Sequence, residues 1–350
     1  MLSEEGGRAP GAGRGTTPEV SVVMPVRNGR PFLDESVRSI LAQTFQDFEF
    51  VILDDASDDG TAEDLRGWAR RDARIRVVES PRRLGLSGSS NAVVRAARAP
   101  LVARMDADDV AQPERLARQL GVMRARPDVV LVGSLSEGID AAGRRVRPRD
   151  RWRLVRASLY PPFAHGSVMF RRAAFEEVGG YHEECAGWED QDLFLRLTRK
   201  GRVVVLPETL HLYRYHVGNS TGSSPVEYRA RLYGVREQCF EAFRRGRDYA
   251  GLLAEAAARN GDAPRATAVT LYQTGAMRLW AGHPPDILGE ALRPGALRLD
   301  MRSLLTLAIA AWGRLSPSTL RLSLRSFIRA RDLIAGRRVK DGSPFEWRLK

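Results

Sequence analysis

Over roughly the first two hundred residues, short apolar runs alternate with segments of helical period. Val20-Ser21-Val22-Val23-Met24-Pro25 reads as a buried strand stopped by Pro25, with Asn28-Gly29 turn chemistry behind it. Leu33, Val37, Ile40 and Leu41 then recur at helical spacing, and Asp34 can cap or charge the first turn. Phe48 to Leu53 is a second strand ending in Asp54 and Asp55, and the polar loop Ala56 to Thr61 leads into a helix through about Arg70. Ile75 to Val78 is a third strand; Gly85 to Gly88 is a loop opening the helix that carries Asn91 to Ala97. Leu101 to Met105 is a fourth strand, and it ends in Asp106, Asp108 and Asp109. A helix from about Glu114 to Arg124 follows Pro113, a good helix opener. Then come a strand at Val129 to Gly133, a basic surface loop at Arg144 to Arg153, and His165 to Phe170 leading through a strand to Arg171. A helix holding Phe175 and Val178 stops at Gly179-Gly180.

This order predicts an α/β fold: a mostly parallel, twisted sheet with helices on both faces. Ligands of such sheets sit beyond the carboxyl ends of the strands. The first, second and fourth strands end in Pro25 to Asn28, in Asp54-Asp55 and in Asp106 to Asp109, a coincidence that independent surface turns do not explain. In an extended chain Asp106 and Asp108 share a face and Asp109 turns away. Two hard oxygen ligands at a strand's end suit Mg²⁺ or Mn²⁺ completed by phosphate oxygens; the bland alternative is a solvated acidic turn. Further on, Glu189, Asp190 and Asp192 open an apolar helix, where they serve either its N-terminal dipole or as a carboxylate base at the mouth of a cleft. Leu210 to His216 is strand-like and carries two histidines, His211 and His216, that are structural or ligating.

Composition narrows the picture. Hydrophobic content of 43% and charged content of 28% are those of a globular chain able to bury a large core. The two cysteines, Cys185 and Cys239, lack spaced histidine partners, which argues against a zinc cluster and for free reduced thiols. Most of the +12 net charge lies beyond Pro225, where 22 Lys and Arg face 12 Asp and Glu, a surface suited to polyanions or anionic lipid. Glu227 to Arg259 and Ala266 to Leu279 look helical, and Leu320 to Ile334 alternates apolar residues with Arg in the manner of an interfacial helix. The residues through Pro18 read as a disordered tail without an apolar leader, and no run approaches the ~20 apolar residues that span a bilayer. The expected location is cytoplasmic, with peripheral contact at the inner face of the plasma membrane as an option.

Several stretches together resemble a family 2 glycosyltransferase of the GT-A, Rossmann-like fold, the inverting kind that uses nucleotide-diphosphate sugars. They are Ser21 to Gly29, Ser39 to Phe45, Leu53 to Thr61, Met105-Asp-Ala-Asp-Asp109, Gly179-Gly-Tyr181 and Trp188-Glu-Asp-Gln-Asp192, in that order. The resemblance covers about Val20 to Ser220; with the compositional readings it divides the chain into a disordered tail over 1–18, a GT-A domain over 19–224 and a basic helical region over 225–350. It implies that Pro25, Val26, Arg27, Asn28, Asp54, Asp55, Asn91 and Asp106 bind the nucleotide sugar, with Asp55 on the base and Asp106 near the ribose. Asp108 and His216 would hold the Mg²⁺ or Mn²⁺, Asp190 would be the general base, and His165, Trp188 and Glu189 would lie on the acceptor side. A glycan or lipid-linked acceptor of the cell envelope is the expected partner. Three positions depart from the family's common pattern: Arg27 stands for Tyr, Ala56 for Gly, and Ser90 for an Arg before Asn91, with Arg82, Arg83 or Arg104 available to compensate. A sugar nucleotidyltransferase would share the carboxylates without needing the Trp188 to Asp192 segment. A membrane-associated polyanion-binding protein with an inactive transferase domain is disfavoured by the intact acidic residues. Nucleic acid is not an expected partner, because no docking motif accompanies the basic charge.

Overall fold

The computed structural model describes residues 17–146, 163–185, 187–216 and 218–219, and in the C-terminal third 239, 242–243, 245–246, 249 and 345–347. The N-terminal tail, most of the Arg144 to Arg153 excursion and nearly all of the expected C-terminal helices lie outside these residues.

The sheet is built around β1 (Val20–Val26), every residue of which is buried. It is flanked in parallel by β2 (Phe48–Asp54) and by β4 (Leu101–Arg104), and β3 (Ile75–Glu79) adds in parallel beyond β2. Near-continuous apolar runs are what parallel strands covered on both faces require. Beyond β4 the sheet becomes mixed. The short β7 (Met169–Arg171) is antiparallel to β4 and to β6 (Val129–Asp140), and β8 (Arg202–Tyr215) runs parallel to β6. On the far edge of β8, β5 (Val110–Ala111) and β9 (Phe345–Trp347) pair antiparallel with its later and earlier stretches. The strand at 345–347 departs from the helical expectation for the C-terminal region.

Alternate side chains feed two cores. Met24, Phe50 and Ile52 pack with Leu33 and Val37 of α1 (Arg30–Leu41), Leu65 and Trp68 of α2 (Thr61–Arg71), and Leu116 and Leu120 of α4 (Arg115–Ala125). Val23, Val51 and Val102 pack on the other face against Val93 and Val94 of α3 (Gly85–Ala96), Phe175 of α5 (Arg172–Glu177) and Phe194 of α6 (Glu189–Leu197). Helices on both faces are thus what the pattern predicts. Local boundaries differ. Gly85 to Gly88 is the first turn of α3 and not a loop. Asp34 does not cap α1, whose N-cap is Gly29; it pairs with Arg38 one turn on, at 2.8 Å. β6 runs past Gly133 to Asp140 and β8 begins eight residues before Leu210, because long strands that change neighbours need no single periodicity.

Two features of this topology assemble a single polar edge. The parallel strands bring the carboxyl ends of β1, β2 and β4 together, and the parallel β6/β8 pair brings Asp140 and Tyr215 side by side. The Val110–Leu212 pairing then folds the acidic turn after β4 against the end of β8.

Candidate active site

A cavity of about 880 Å³ opens at that edge, lined among others by Pro25, Val26, Arg27, Asn28, Asp55, Asp106, Asp108 and His216. Its β1 side is set by backbone chemistry. Asn28 adopts φ 54°, a left-handed conformation that Asn tolerates. Its amide exchanges hydrogen bonds with Asp58, donating to Oδ1 at 2.8 Å and accepting from the backbone N–H at 3.0 Å. Arg27 lies 3.5 Å from the same carboxylate, so the β1–α1 turn and the loop after β2 are stitched together. Asp55 accepts backbone N–H groups from Leu84 (2.5 Å) and Gly85 (3.0 Å), which fixes its carboxylate across the N-terminus of α3. Of the cations considered as replacements for the missing Arg at position 90, Arg83 lines the cavity, whereas Arg104 is buried behind it.

The acidic turn is braced from below. Asp108 Oδ2 accepts from His216 Nε2 at 2.9 Å and from Asn219 Nδ2 at 3.1 Å, so the three side chains converge on one oxygen at the cavity wall. Asp109 faces away, as the strand period predicts: it is fully buried, accepts the Arg214 N–H at 2.8 Å and lies 3.0 Å from His211 Nε2. Burial, with Asp108 and Asp106 adding to it, pushes the Asp109 carboxyl well above the usual range; burial holds His211 well below its own. Arg214 ties the turn to its surroundings, donating to the Asp108 carbonyl (2.7 Å) and to Glu35 (2.6 Å) while covering the Phe32 ring. Gly166 passes so close that a Cβ there would sit 2.7 Å from Asp106 Oδ2 and 2.8 Å from His211 Nε2.

Asp106 joins this cavity to a second, drier cluster. Its Oδ1 pairs with Nη1 of the buried Arg104 at 2.5 Å. Burial raises the Asp106 acid, and Arg104 opposes the rise. His165 Nε2 is 2.7 Å from the Tyr181 hydroxyl, and Asp106 first, then Tyr181 and Glu189, act electrostatically on Arg104 against the effect of its burial. Glu189 accepts the Gly187 N–H at 2.6 Å, and burial followed by the charge of Asp190 pushes its acid up to about 7. Burial keeps His165 neutral. Asp190 lies in the first turn of α6, its Oδ1 accepting the Gln191 N–H at 2.7 Å; it is not part of the cavity wall.

Three expected site residues have other jobs. Asp54 is buried and accepts the Ser57 N–H at 3.2 Å, bracing the loop instead of lining the cavity. Asn91 clamps the Tyr181 backbone with two hydrogen bonds of 2.8 Å, because α3 buries that face against the turn after α5. Trp188 is fully buried in the α6 core, its indole N–H without a hydrogen-bond partner among the described residues. Conversely, the sequence pattern assigns no role to Asn219, Arg214 or Tyr181 and only a loose one to Arg104. A charged residue inside an apolar strand, as at Arg104 and Arg214, is the available signal.

The fold also gathers His182, Cys185 and Asp192, with ligand-type atoms within 4.8 Å of one another, a grouping that spacing argues against. Asp192 is already engaged by Arg196 Nε (3.1 Å) and the Tyr249 hydroxyl (2.5 Å), and the Cys185 thiol is pushed far up by burial. This is a buried polar knot under α6, and both cysteines are free.

Sequence and structural comparisons with known proteins agree. The model of "Glycosyl transferase family 2" matches residues 21–179, and that of "N-terminal domain of galactosyltransferase" matches 155–217. EpsE of Bacillus subtilis (strain 168), named as a glycosyltransferase, is 31% identical over 204 residues, covering 56% of this chain and 73% of that protein. The O-antigen biosynthesis glycosyltransferase WbnJ of Escherichia coli is 31% identical over 229 residues, covering 62% and 88%. Among solved structures, the Pyrobaculum calidifontis mannosyltransferase PcManGT with GDP-Man and Mn²⁺ superposes with a TM-score of 0.54 at 20% identity, covering 91% of this chain and 87% of that one. S. aureus TarS 1-349 with UDP-GlcNAc does so with 0.53 at 19%, covering 85% and 80%. The two share the GT-A fold seen here.

Proposed function

The chain belongs to glycosyltransferase family 2, and from that premise we propose that it is an inverting, metal-dependent transferase acting in cell-envelope polysaccharide synthesis. It moves a sugar from a nucleoside-diphosphate donor, with uridine the expected base, to a hydroxyl of a glycan or lipid-linked acceptor. The observation that carries this reading is one cavity lined by Asp55, Asp106, Asp108 and His216 at the carboxyl ends of the strands.

Each group then has a task. Asp55, oriented by two N–H groups, accepts a hydrogen bond from the nucleobase, and Arg27 stacks on the base face in place of a tyrosine. Asp106 meets the ribose side. Asp108 Oδ2 and His216 Nε2, one hard oxygen and one imidazole nitrogen at the cavity wall, would hold a divalent cation once Nε2 gives up the proton it now donates to Asp108, with Asn219 holding the carboxylate. A divalent cation held by these residues would supply positive charge to the leaving diphosphate, and Mg²⁺ or Mn²⁺ would suit that task. On the opposite side Asp190, beside Glu189 in the first turn of α6, takes the proton of the attacking acceptor hydroxyl, and a single displacement inverts the anomeric centre. We place the enzyme on the cytoplasmic side, its basic C-terminal region touching anionic lipid. No helix among the described residues is long and apolar enough to cross a membrane. Co-sedimentation of the full chain with anionic but not zwitterionic vesicles is the expected result.

A thermal-shift panel of UDP, GDP and dTDP sugars, each with Mn²⁺, tests the reading. Stabilisation by one nucleotide class, dependent on the metal and accompanied by release of nucleoside diphosphate instead of pyrophosphate, is expected. No stabilisation by any of them would sink it.

A further inference from the structure

The two groups assigned to the cation come from distant parts of the chain: Asp108 from the turn after β4, and His216, 108 residues further on, from the end of β8. Arg214 reaches both. It is the penultimate residue of β8, and its side chain is 1% exposed. Burying a guanidinium is costly unless its donors are used, and here each nitrogen has an acceptor. Nε donates to the Asp108 carbonyl at 2.7 Å, Nη1 to the Asp140 carbonyl at the end of β6 at 3.2 Å, and Nη2 to Glu35 of α1 at 2.6 Å. The backbone N–H of the same residue holds Asp109 Oδ1 at 2.8 Å. The flat face of the guanidinium covers Phe32, with Cζ 4.9 Å from the ring centroid. Phe32 in turn meets the His216 imidazole, the two ring centroids 4.6 Å apart and the planes tilted by 51°. Arg214 thus addresses Asp108 by a hydrogen bond and His216 through a phenyl ring, while α1, β6 and the acidic turn all converge on its side chain.

We propose that Arg214 is a positioning residue for the cation: one buried guanidinium fixes the backbone of Asp108 and, through the Phe32 ring, the imidazole of His216, so that both ligands stand ready at the cavity wall. The inference rests on the metal-dependent transferase reading above. Arg214 itself is not part of the cavity wall, so it acts through the ligands and not on donor or acceptor. Groups that orient metal ligands from behind typically set affinity, and losing one costs about 10–100-fold. The planar fork matters: it reaches acceptors in three directions and still presents a face to the ring. A lysine ammonium, a point charge on a flexible stem, offers no such face. Without the clamp, turn and imidazole must be ordered when the metal binds, which weakens binding and leaves the reaction of the loaded enzyme intact.

The test compares wild type, Arg214→Lys and Phe32→Leu as full chains, with Mn²⁺ as the probe, alone and together with the nucleotide sugar that stabilises the wild type most. Mn²⁺ affinity is read from the paramagnetic resonance of the free ion, and turnover is followed in parallel as Mn²⁺ is raised. Arg214→Lys weakens Mn²⁺ affinity about 10–100-fold. Saturating Mn²⁺ then restores kcat to within about threefold of wild type, because the interaction lost belongs to binding and not to the transition state. Phe32→Leu leaves the guanidinium hydrogen bonds in place and loosens the His216 arm alone, so it weakens Mn²⁺ affinity by less than Arg214→Lys does. On a His216→Ala background Phe32→Leu costs no further Mn²⁺ affinity, since the ring has no imidazole left to seat. Should Arg214→Lys not fold, Phe32→Leu with and without His216→Ala carries the decision. A merely structural Arg214 would lower stability at unchanged Mn²⁺ affinity, and that result overturns the proposal. A fall in kcat that saturating Mn²⁺ does not restore, or a Phe32→Leu loss undiminished on the His216→Ala background, overturns it as well. A wild type that binds its nucleotide sugar without Mn²⁺ dependence, or binds none, sinks the metal-dependent reading itself, which separates the two failures.

Discussion

The donor half and the base half of this molecule are built on opposite plans. Around the cavity, carboxylates are set one at a time by nearby donors: Asp55 by the N–H groups of Leu84 and Gly85, Asp108 by His216 and Asn219. They face an open space of about 880 Å³ and wait for a ligand and a cation. On the base half, His165, Tyr181, Glu189 and Arg104 are packed together with little solvent, and burial shifts their protonation as much as any partner does. The first region is prepared to bind; the second is prepared to set a proton's affinity. Asp106, paired with Arg104, belongs to both.

The largest effects should separate the halves by readout. Asp108→Ala removes the carboxylate that addresses the cation, so transfer falls by about 10³ or more and the Mn²⁺-dependent thermal shift with nucleotide disappears. Asp190→Asn lowers transfer about 10²–10⁴-fold, the worth of a general base, and leaves that thermal shift in place. Calorimetry showing equal losses of nucleotide affinity in both variants would mean that the two regions are one site, not two.

A pH experiment sharpens the contrast further. With its acid raised to about 7 from an ordinary 4.5, Glu189 binds a proton in the folded chain that the unfolded chain releases. Between those values the folded state holds more protons, so this group's contribution to stability is present at low pH and fades as pH rises through 7. The loss amounts to about 2–3 kcal/mol between pH 5 and 8. Glu189→Gln cannot titrate and still accepts the Gly187 N–H, so its stability relative to wild type rises by that amount over the same interval. Urea unfolding at the two pH values measures it; a constant difference would show that the cluster is wet.

How much of this can be read from the chain obeys the same division. The donor half is made of contiguous motifs at strand ends, and the period-two and helical patterns are enough to place Asp55, Asp106 and Asp108 at one edge. The turn chemistry at Asn28 and the turning of Asp109 away from Asp106 and Asp108 are equally accessible. What the pattern cannot supply are contacts made across the fold: Asn219 on Asp108 spans 111 residues, and Arg214 on Glu35 spans 179. Trp188 sits inside a matching motif yet is fully buried, and the half-buried Asn91, which the resemblance puts on the donor, bonds the Tyr181 backbone, because a motif says which residues recur and not which way each one faces. Asn91→Ala tests which task dominates. It removes two hydrogen bonds to the Tyr181 backbone and should cost about 1–3 kcal/mol of stability with unchanged nucleotide affinity. A weaker nucleotide with intact stability would return Asn91 to the donor half.

The smallest effect lies in the loop that the two halves do not share. Ala56 comes directly after Asp55 and adopts φ 54°, where an L side chain crowds its own carbonyl. The conformation is imposed by its neighbours: Asp54 accepts the Ser57 N–H, and the Ser57 hydroxyl accepts the Asn28 N–H at 2.9 Å. Ala56→Gly relieves about 1 kcal/mol of strain, and the freer unfolded chain takes back about half of it. A net gain of about 0.5 kcal/mol in chemical unfolding is therefore expected, without change in the Mn²⁺–nucleotide shift. If the substitution instead destabilises the protein, the loop relaxes on its own, and the rigidity assigned here to the donor half does not extend past Asp55.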